Sequence, residues 1–187
     1  MTSSDKTVLN EEALRAIDGK VGAHIEGAHD GRGLRIGVAC ARFNGGITQR
    51  LLEGVFEAQA RLGVDSQDLT VAWVPGAFEL PLLAKKFATS GKFDAVLALG
   101  AVIRGDTGHY DFVAGECARG LQDVALATEM PIVFGVLTTN TVAQALERSE
   151  SGPENKGAEA LETAVEVVRV LRSAGLQYSG WFEDVLV

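Results

Sequence analysis

One stretch of the chain combines residue types suited to acid–base chemistry beside a bound anion. Residues 100–111 read Gly-Ala-Val-Ile-Arg-Gly-Asp-Thr-Gly-His-Tyr-Asp. Gly105 and Gly108 allow the backbone to approach a ligand, and Thr107 offers a hydroxyl at a predicted helix start, where backbone N–H groups favour anions. His109 stands at that entrance, and imidazole both gives and takes protons near neutral pH. The stretch predicts an anion site with a proton carrier; a purely structural histidine is the alternative.

Two further loops carry side chains suited to a flat ring or a chain of hydroxyl groups. Residues 42–46 read Arg-Phe-Asn-Gly-Gly, and Phe43 is either a stacking platform for a planar ligand or a residue that closes the edge of the core. Residues 74–81 read Val-Pro-Gly-Ala-Phe-Glu-Leu-Pro, which predicts a type II turn with Gly76 at its third position. Glu79 would then start a helix, where it either meets ligand hydroxyls or only balances the helix dipole.

The cations available to an anionic ligand must be local, because the chain as a whole is acidic. Arg148 closes a short predicted helix, where it is either a phosphate clamp or a balance for the helix dipole. Asp106 complicates the anion site, since its carboxylate would repel a phosphate unless it points away. No stretch matches a Walker loop or a Gly-x-Gly-x-x-Gly fingerprint, so nucleotide binding by either route is not expected.

Composition narrows the classes of partner. The chain of 187 residues has a formal net charge of −8 and a pI near 4.9, which argues against nucleic-acid and membrane-surface partners because both require a basic face. Cys40 and Cys117 lack disulfide or metal-ligand spacing, so we expect two buried thiols and no metal site. Residues 1–30 contain no continuous apolar stretch, and no run elsewhere suffices for a membrane helix, which predicts a cytoplasmic protein.

Short apolar runs alternate with amphipathic stretches from Leu34 onward, which is typical of βα units on a parallel sheet. The runs are apolar nearly throughout, as expected of strands covered on both faces. They lie at residues 34–41, 69–74, 95–102 and 132–137. We therefore predict an α/β fold: a flavodoxin-like, three-layer α/β/α sandwich with a four-stranded parallel sheet. Ligands of such sheets bind outside the carboxyl ends of the strands, where the loops described above lie.

Helical periodicity between and after the strands predicts five helices. The first ends at Gly63 and presents one apolar face, made of Ile47, Leu51, Val55, Ala58 and Leu62. The other four begin near Phe78, Tyr110, Thr141 and Asn155. Thr141 and Gln144 are spaced as a capping box for the short helix that reaches Arg148.

The same patterns divide the chain into three parts. Residues 1–33 mix glycines with charges and are predicted to form a loosely ordered extension with one short helical segment near residues 11–17. Residues 34–173 are predicted to form a single domain that carries the candidate catalytic residues. Residues 174–187 form a C-terminal tail whose aromatic and aliphatic side chains we expect to pack on the protomer.

Taken together, the loops resemble those of the lumazine synthases, enzymes of riboflavin biosynthesis. The resemblance covers about residues 34–173 and depends on five motifs in order. They are Arg-Phe-Asn at 42–44, Val-Pro-Gly-Ala-Phe-Glu at 74–79, Val-Ile-Arg-Gly-Asp-Thr-Gly-His-Tyr at 102–110, Phe134-Gly135 and Asn155-Lys156-Gly157. The resemblance implies a transferase that condenses 5-amino-6-(ribitylamino)uracil with 3,4-dihydroxy-2-butanone 4-phosphate. The products would be 6,7-dimethyl-8-ribityllumazine, phosphate and water, with no cofactor or metal.

The resemblance also implies roles for individual residues. His109 would carry protons, with Glu159 orienting or charge-stabilising it, and Arg148 would be the charge partner of the phosphate. Phe43 would stack on the pyrimidine and Asn44 would fix its loop. Ala77 and Glu79 would hold the ribityl chain, and Val102 and Ile103 would give backbone contacts to the ring. Gly105, Asp106 and Thr107 would form the phosphate loop, and Lys156 would add positive potential. The remaining residues assigned to substrate binding are Gly76, Phe78, Ala101 and Phe134.

In this family resemblance, Phe134, Arg148, Lys156 and Glu159 match residues that reach the site from an adjacent subunit. The resemblance thus implies a homopentamer with sites between protomers, and leaves open whether pentamers assemble further. Riboflavin synthase is the functional partner it suggests.

Two alternatives use the same fold. A non-catalytic flavin- or lumazine-binding or shell-forming protein would need neither a proton carrier nor a phosphate clamp, so retention of His109 and Arg148 weighs against it. A flavodoxin-like electron carrier would need a Ser/Thr-rich phosphate loop after the first strand, and residues 42–46 lack that character.

Overall fold

The computed structural model describes residues 11–175. The first ten residues and residues 176–187 lie outside the described part, so the predicted packing of the tail stays a prediction. Four strands and six α-helices are described, in chain order α1 (Glu11–Arg15), β1 (Ile36–Ala41), α2 (Gly45–Leu62), β2 (Leu69–Val74), α3 (Leu80–Ala88), β3 (Ala95–Ile103), α4 (His109–Thr128), β4 (Ile132–Thr139), α5 (Val142–Glu147) and α6 (Lys156–Ser173). Short 3-10 turns precede β2 and α3, at Ser66–Asp68 and Ala77–Glu79.

All strand pairs described are parallel, and the strands lie in the order β2-β1-β3-β4. The chain passes from β1 to β2 on one side of β1, and then returns past β1 to form β3 on the other side. The direction of winding therefore reverses between β1 and β3, which makes the carboxyl ends of these two strands the topological switch point where ligands bind in open α/β sheets. The α/β fold and the four-stranded parallel sheet predicted from the apolar runs are confirmed.

Two apolar clusters cover the two faces of the sheet. Residues of α2, α5 and α6 pack with the strands in one cluster, and residues of α3 and α4 pack with them in the other. The predicted inner face of α2 is fully within the first cluster, and β1 is buried at every position. Helices on both faces of the sheet make the three-layer sandwich.

Two predicted helix ends are confirmed in detail, and a third is confirmed in part. Gly63 ends α2 in the left-handed conformation, with φ 75°, and its N–H donates to the carbonyl of Gln59 at 3.0 Å. Pro81 lies in the first turn of α3, where its missing N–H has no intrahelical partner. The capping box at α5 is half formed: Thr141 Oγ1 accepts from Gln144 N at 3.2 Å, but Gln144 Oε1 accepts from Asn140 N instead of closing the box.

Asn155 and Gly157 set the close packing of α6 on α2. The Oδ1 of Asn155 accepts from Gly157 N at 2.8 Å, and its Nδ2 donates to the carbonyls of Arg50 and Ser149. A Cβ at Gly157 would lie 1.9 Å from the carbonyl oxygen of Leu51, so only glycine permits this approach. The Asn-Lys-Gly motif thus contains two residues that fix the start of α6, which places Lys156 between them.

Asp94 ties together the amino ends of β1 and β3 and the end of α6. Its side chain is 1% exposed, and Oδ2 accepts from Arg35 N at 2.6 Å. Oδ1 pairs with the guanidinium groups of Arg35 at 3.3 Å and Arg172 at 3.1 Å. This buried carboxylate lies at the end of the sheet opposite to the switch point.

Part of the segment before β1 contacts the domain. Arg169 of α6 donates to the carbonyl oxygens of Asp30 at 2.6 Å and Arg32 at 2.7 Å, and Gly31 N donates to the carbonyl of Leu62 at 2.8 Å. In the described residues, no helix combines the length and apolar character required to cross a bilayer.

Candidate functional site

A cavity of about 560 Å³ opens at the switch point. We call it the His109 cleft. Its lining comes from the loops after β1 and β2, the last residues of β3 and the first turns of α4. The lining residues are Phe43, Asn44, Pro75, Gly76, Ala77, Phe78, Glu79, Ala101, Val102, Ile103, His109, Phe112 and Val113. Ten of these thirteen are residues singled out from the sequence, so the structure brings that part of the predicted site together.

Asn44 spans the switch point. Its backbone adopts φ 57°, a left-handed conformation that asparagine tolerates better than most residues. From there its side-chain amide donates to the carbonyl oxygen of Ala101 at 2.9 Å. The loop after β1 is therefore tied to the end of β3, which holds the neighbouring Phe43 at the mouth of the cleft with 72% of its surface exposed.

The turn at residues 75–79 forms the second wall of the cleft. The predicted type II turn is wrong, because Gly76 has φ −149° and ψ −177°, an extended conformation and not the positive φ that such a turn needs. Two local bonds determine the shape instead: Phe43 N donates to the carbonyl of Pro75, and Glu79 Oε2 accepts from Gly76 N, both at 2.9 Å. One carboxylate oxygen of Glu79 is thus engaged in its own turn.

His109 is the first residue of α4 and is exposed at the rim of the cleft. Its backbone N–H donates to Thr107 Oγ1 at 3.4 Å. Gly105, Asp106 and Thr107 are exposed and connect β3 to His109 beside the cleft without lining it. The predicted anion loop therefore leads directly into a helix amino end, where N–H groups favour negative charge.

A second cavity, of about 300 Å³, lies along β4 and α6. We call it the Arg148 cleft. It contains the other four predicted side chains. Its lining residues are Val133, Phe134, Gly135, Val136, Leu137, Thr138, Arg148, Lys156, Glu159, Ala160 and Thr163.

The charged side chains of the Arg148 cleft are already partnered. The guanidinium of Arg148 donates to the carbonyl of Gln144 at 3.0 Å and lies 3.4 Å from Glu147 Oε2, while nearly half of the side chain stays exposed. Lys156 and Glu159 form an ion pair one helical turn apart. Phe134 is 42% exposed beside them. The cleft therefore offers two cations and one carboxylate next to an uncovered aromatic ring.

Within one protomer the predicted site is divided between the two clefts. In the described part of the chain, the lining of the His109 cleft includes no lysine or arginine, and both predicted phosphate-binding cations line the Arg148 cleft. Glu159, predicted to act on His109, also lines the Arg148 cleft. In the described residues, the lining of neither cleft combines His109 with Arg148, Lys156 or Glu159.

Four residues at or beside the His109 cleft were not assigned a role from the sequence: Pro75, Phe112 and Val113, which line it, and Arg104, which lies beside it. Phe112 and Val113 follow His109 by three and four positions on α4, so they lie on the same face of the helix as the histidine. This helical spacing is the sequence signal that could have identified them. Arg104 follows the last residue of β3 and binds Asp111 and Asn140. Its partner choice depends on the loop's three-dimensional course, which no spacing rule describes.

Neither cysteine belongs to the site. Cys40 in β1 and Cys117 in α4 are buried, as predicted, and burial raises the pKa of each thiol to about 12. Both thiols are therefore protonated at neutral pH and poor nucleophiles. Among residues 11–175 no group of three His, Cys, Asp or Glu side chains is placed to hold a metal ion.

Fold and clefts together define a doubly wound α/β protein with a small-molecule cleft at the switch point of its sheet. The family model described as 6,7-dimethyl-8-ribityllumazine synthase matches residues 33–172. Two proteins with that same name, from two strains of Thermus thermophilus, are each 56% identical over 142 residues, which is 76% of this chain and 90% of theirs. The chain belongs to the 6,7-dimethyl-8-ribityllumazine synthase family. The family resemblance predicted from the five motifs is confirmed.

Proposed function

We propose that the chain condenses 5-amino-6-(ribitylamino)uracil with 3,4-dihydroxy-2-butanone 4-phosphate to form 6,7-dimethyl-8-ribityllumazine in riboflavin biosynthesis. The observation that carries this proposal is the His109 cleft, which gathers the aromatic, glutamate and histidine side chains of three separate motifs at one switch point. Membership of the family supports the same reaction. The enzyme is a transferase that acts on two small molecules.

The cleft suits a pyrimidine that bears a polyol chain. Phe43 offers an exposed aromatic face for the ring, and the last residues of β3 offer backbone groups at its edge. Glu79 has one carboxylate oxygen bound to Gly76 N, which fixes the direction in which the carboxylate points. That fixed carboxylate accepts hydrogen bonds from ribityl hydroxyls, so it sets the orientation of the chain relative to the ring.

His109 carries the protons of the reaction. An amine adds to the ketone, a Schiff base forms, phosphate is eliminated and the ring closes with loss of water, so protons move at every stage. The histidine lies at the rim of the cleft and at the end of the Gly105–Gly108 loop, between the place proposed for the ring and the place proposed for the phosphate. Holding two reactants there in a productive geometry supplies the larger share of the acceleration, a term that can reach about 7–11 kcal/mol.

Arg148 and Lys156 neutralise the phosphate from a neighbouring subunit. The charge balance supports this arrangement, since the described lining of the His109 cleft has no cation while the Arg148 cleft has two. The exposed aromatic rings support it as well: Phe43 is 72% and Phe134 is 42% exposed, one at each cleft. A head-to-tail contact that joins unlike surfaces forms a ring when its rotation closes, and we propose that it closes into a homopentamer.

The product defines the functional partner. A lumazine released by this enzyme requires a further transferase to become riboflavin, and we propose riboflavin synthase as the enzyme that consumes it. Direct contact between the two enzymes is not required by this proposal.

Incubation of the pure protein with both substrates tests the proposal. We expect lumazine fluorescence and inorganic phosphate to rise together at a rate proportional to enzyme concentration, and neither to rise when one substrate is omitted. Retention of added lumazine or flavin without any product formation would instead identify a passive binding protein. The mass of the native assembly, measured in the same preparation, tests the pentamer independently.

A further inference from the structure

Arg104 is held on three sides at the base of the loop that precedes His109. Its Nη2 and Nη1 donate to the two oxygens of Asp111 at 3.0 and 3.4 Å, and its Nε donates to Asn140 Oδ1 at 3.2 Å. The guanidinium carbon lies 4.1 Å from the centre of the Tyr110 ring. Its backbone N–H continues the sheet ladder by donating to the carbonyl of Thr139 at 2.9 Å.

These contacts close the loop at both ends. Arg104 immediately precedes residues 105–108, and its partners Tyr110 and Asp111 lie in the first turn of α4, directly after His109. Tyr110 in turn packs against the buried cluster under α3 and α4. The two glycines of the loop leave it with little stiffness of its own. The side chain of Arg104 therefore links the start of the loop directly to its end and stiffens a backbone that is flexible by itself.

The pair also sets the charge beside the anion loop. Asp111 lies in the first turn of α4, where a bare carboxylate would compete with a bound anion for the helix amino end. The hydrogen bonds from Arg104 offset that charge, and the carboxylate in turn raises the pKa of the arginine. The guanidinium of Arg104 binds both carboxylate oxygens of Asp111, a two-point contact that lysine cannot reproduce.

We propose that Arg104 is a positioning residue that fixes His109 relative to the phosphate-bearing substrate. Its contacts with Asp111, Tyr110 and Asn140, which we call the Arg104 clasp, hold the loop of residues 105–108 in place. It acts through Asp111, Tyr110 and Asn140 and does not bind the phosphate itself. The proposal rests on the proposed function, because it assigns the loop to the phosphate of the butanone substrate.

Arg104→Met and Asp111→Asn, made singly and together, test the clasp. Displacement of reacting groups by about 1 Å can lower a rate about 100-fold. We expect each single variant to lower kcat/KM for the butanone phosphate about 10- to 100-fold, with the affinity for the ribitylaminouracil, measured by fluorescence titration, changed less than about twofold. The double variant should lose little more than either single one, since both remove the same contact. Arg104→Lys should recover only part of the loss.

Two further readouts and a matched control keep the outcome clear. Hydrogen exchange at the amides of residues 105–109 should speed up in both single variants, and the melting temperature should stay near that of Arg119→Met. Arg119 is the control because it lies on α4, the helix that contains Asp111, and forms exposed ion pairs with Glu116 and Asp123.

Two results would overturn the clasp. If Asp111→Asn keeps or improves the affinity for inorganic phosphate while Arg104→Met abolishes it, Arg104 is a direct phosphate ligand. Unchanged kinetics in both variants would also overturn it. A wild-type protein that makes no lumazine would instead refute the proposed function.

Discussion

His109 and Arg148 line two different clefts of the same protomer. His109 begins α4 at the carboxyl end of the sheet, and Arg148 follows α5 beside β4, which is the last strand in the sheet order. The proposed chemistry needs both at one substrate. This separation is therefore the structural basis for proposing a site shared between two subunits.

Two separately inactivated proteins should restore each other's activity if the site is shared. The His109→Ala protein keeps an intact Arg148 cleft, and the Arg148→Ala protein keeps an intact His109 cleft. When the two proteins are dissociated, mixed equally and reassembled into a closed ring, about a quarter of the subunit contacts join an intact His109 cleft to an intact Arg148 cleft, by the geometry of head-to-tail interfaces. We expect activity to rise toward that fraction of wild type.

Subunit exchange must be demonstrated in the same sample, by native mass measurement of differently labelled variants. Activity that stays at the mean of the two variants in a fully exchanged mixture would place both residues in the site of a single protomer.

Replacement of His109 by alanine should reduce turnover more than binding. Acid–base catalysis contributes about 100- to 10,000-fold in typical enzymes, and because positioning of the two substrates survives here, we expect a loss of kcat of about 10- to 1,000-fold. Steady-state kinetics with both substrates measures it. His29→Ala is the matched control, since His29 is exposed and lines neither cleft. An unchanged kcat in His109→Ala would remove this residue from the mechanism.

Replacement of Arg148 by alanine should weaken the phosphate substrate selectively. A charge-assisted contact is worth about 1.5–3 kcal/mol, so KM for the butanone phosphate should rise about 10- to 100-fold while KM for the pyrimidine changes little. Arg119→Ala controls for removal of an exposed, ion-paired arginine. Equal increases for both substrates would indicate that Arg148 holds the end of α5 through its bond to Gln144 and does not bind phosphate.

Much of the fold could be predicted from the sequence because the responsible physics is local. The central strands β1 and β3 are continuous apolar runs buried on both faces, whereas the edge strands β2 and β4 are partly exposed. Glycine after α2 and proline at the start of α3 have conformations that single residues determine. The inner face of α2 follows from 3.6-residue periodicity in the same way.

The turn at Gly76 and the clasp at Arg104 could not be predicted by such rules. Pro-Gly has a strong local preference for a type II turn, but the bonds from Gly76 to Glu79 and from Phe43 to Pro75 override it. Arg104 contacts Asp111 because the loop of residues 105–108 places the start of α4 next to the end of β3. Likewise, the division of the site into two clefts depends on strand order, which the four apolar runs do not specify.

The two thiols should be inert in the native protein and reactive after unfolding. Burial raises the pKa of Cys40 and of Cys117 to about 12, so the thiols carry a proton at pH 8 and lie out of reach of a reagent. Their protonated state contributes stability that is fully present below the unfolded pKa, near 8.5, and is lost as pH rises toward the folded value. We expect a chromogenic disulfide reagent to detect no reactive thiol in the native protein at pH 8, and two thiols per chain in denaturant. Rapid native reaction of either thiol would contradict the burial.

Removal of the Asp94 carboxylate should destabilise the domain without altering its clefts. Asp94 is buried and receives bonds from Arg35 and Arg172, so its replacement by alanine leaves cationic groups of two segments without this partner. Breaking a buried ion pair by removing one partner typically costs about 3–5 kcal/mol. We expect a loss of that order in urea unfolding, measured at one fixed protein concentration because subunit association shifts the midpoint.

Asp123→Ala, which breaks an exposed pair with Arg119, should change stability by less than about 1 kcal/mol. Asp94 lies at the end of the sheet away from the His109 cleft, so kcat and both KM values of the folded variant should match wild type. A stability loss no larger than that of Asp123→Ala would mean that Arg35 and Arg172 find equivalent partners or water, and that the carboxylate is not what joins β1, β3 and α6.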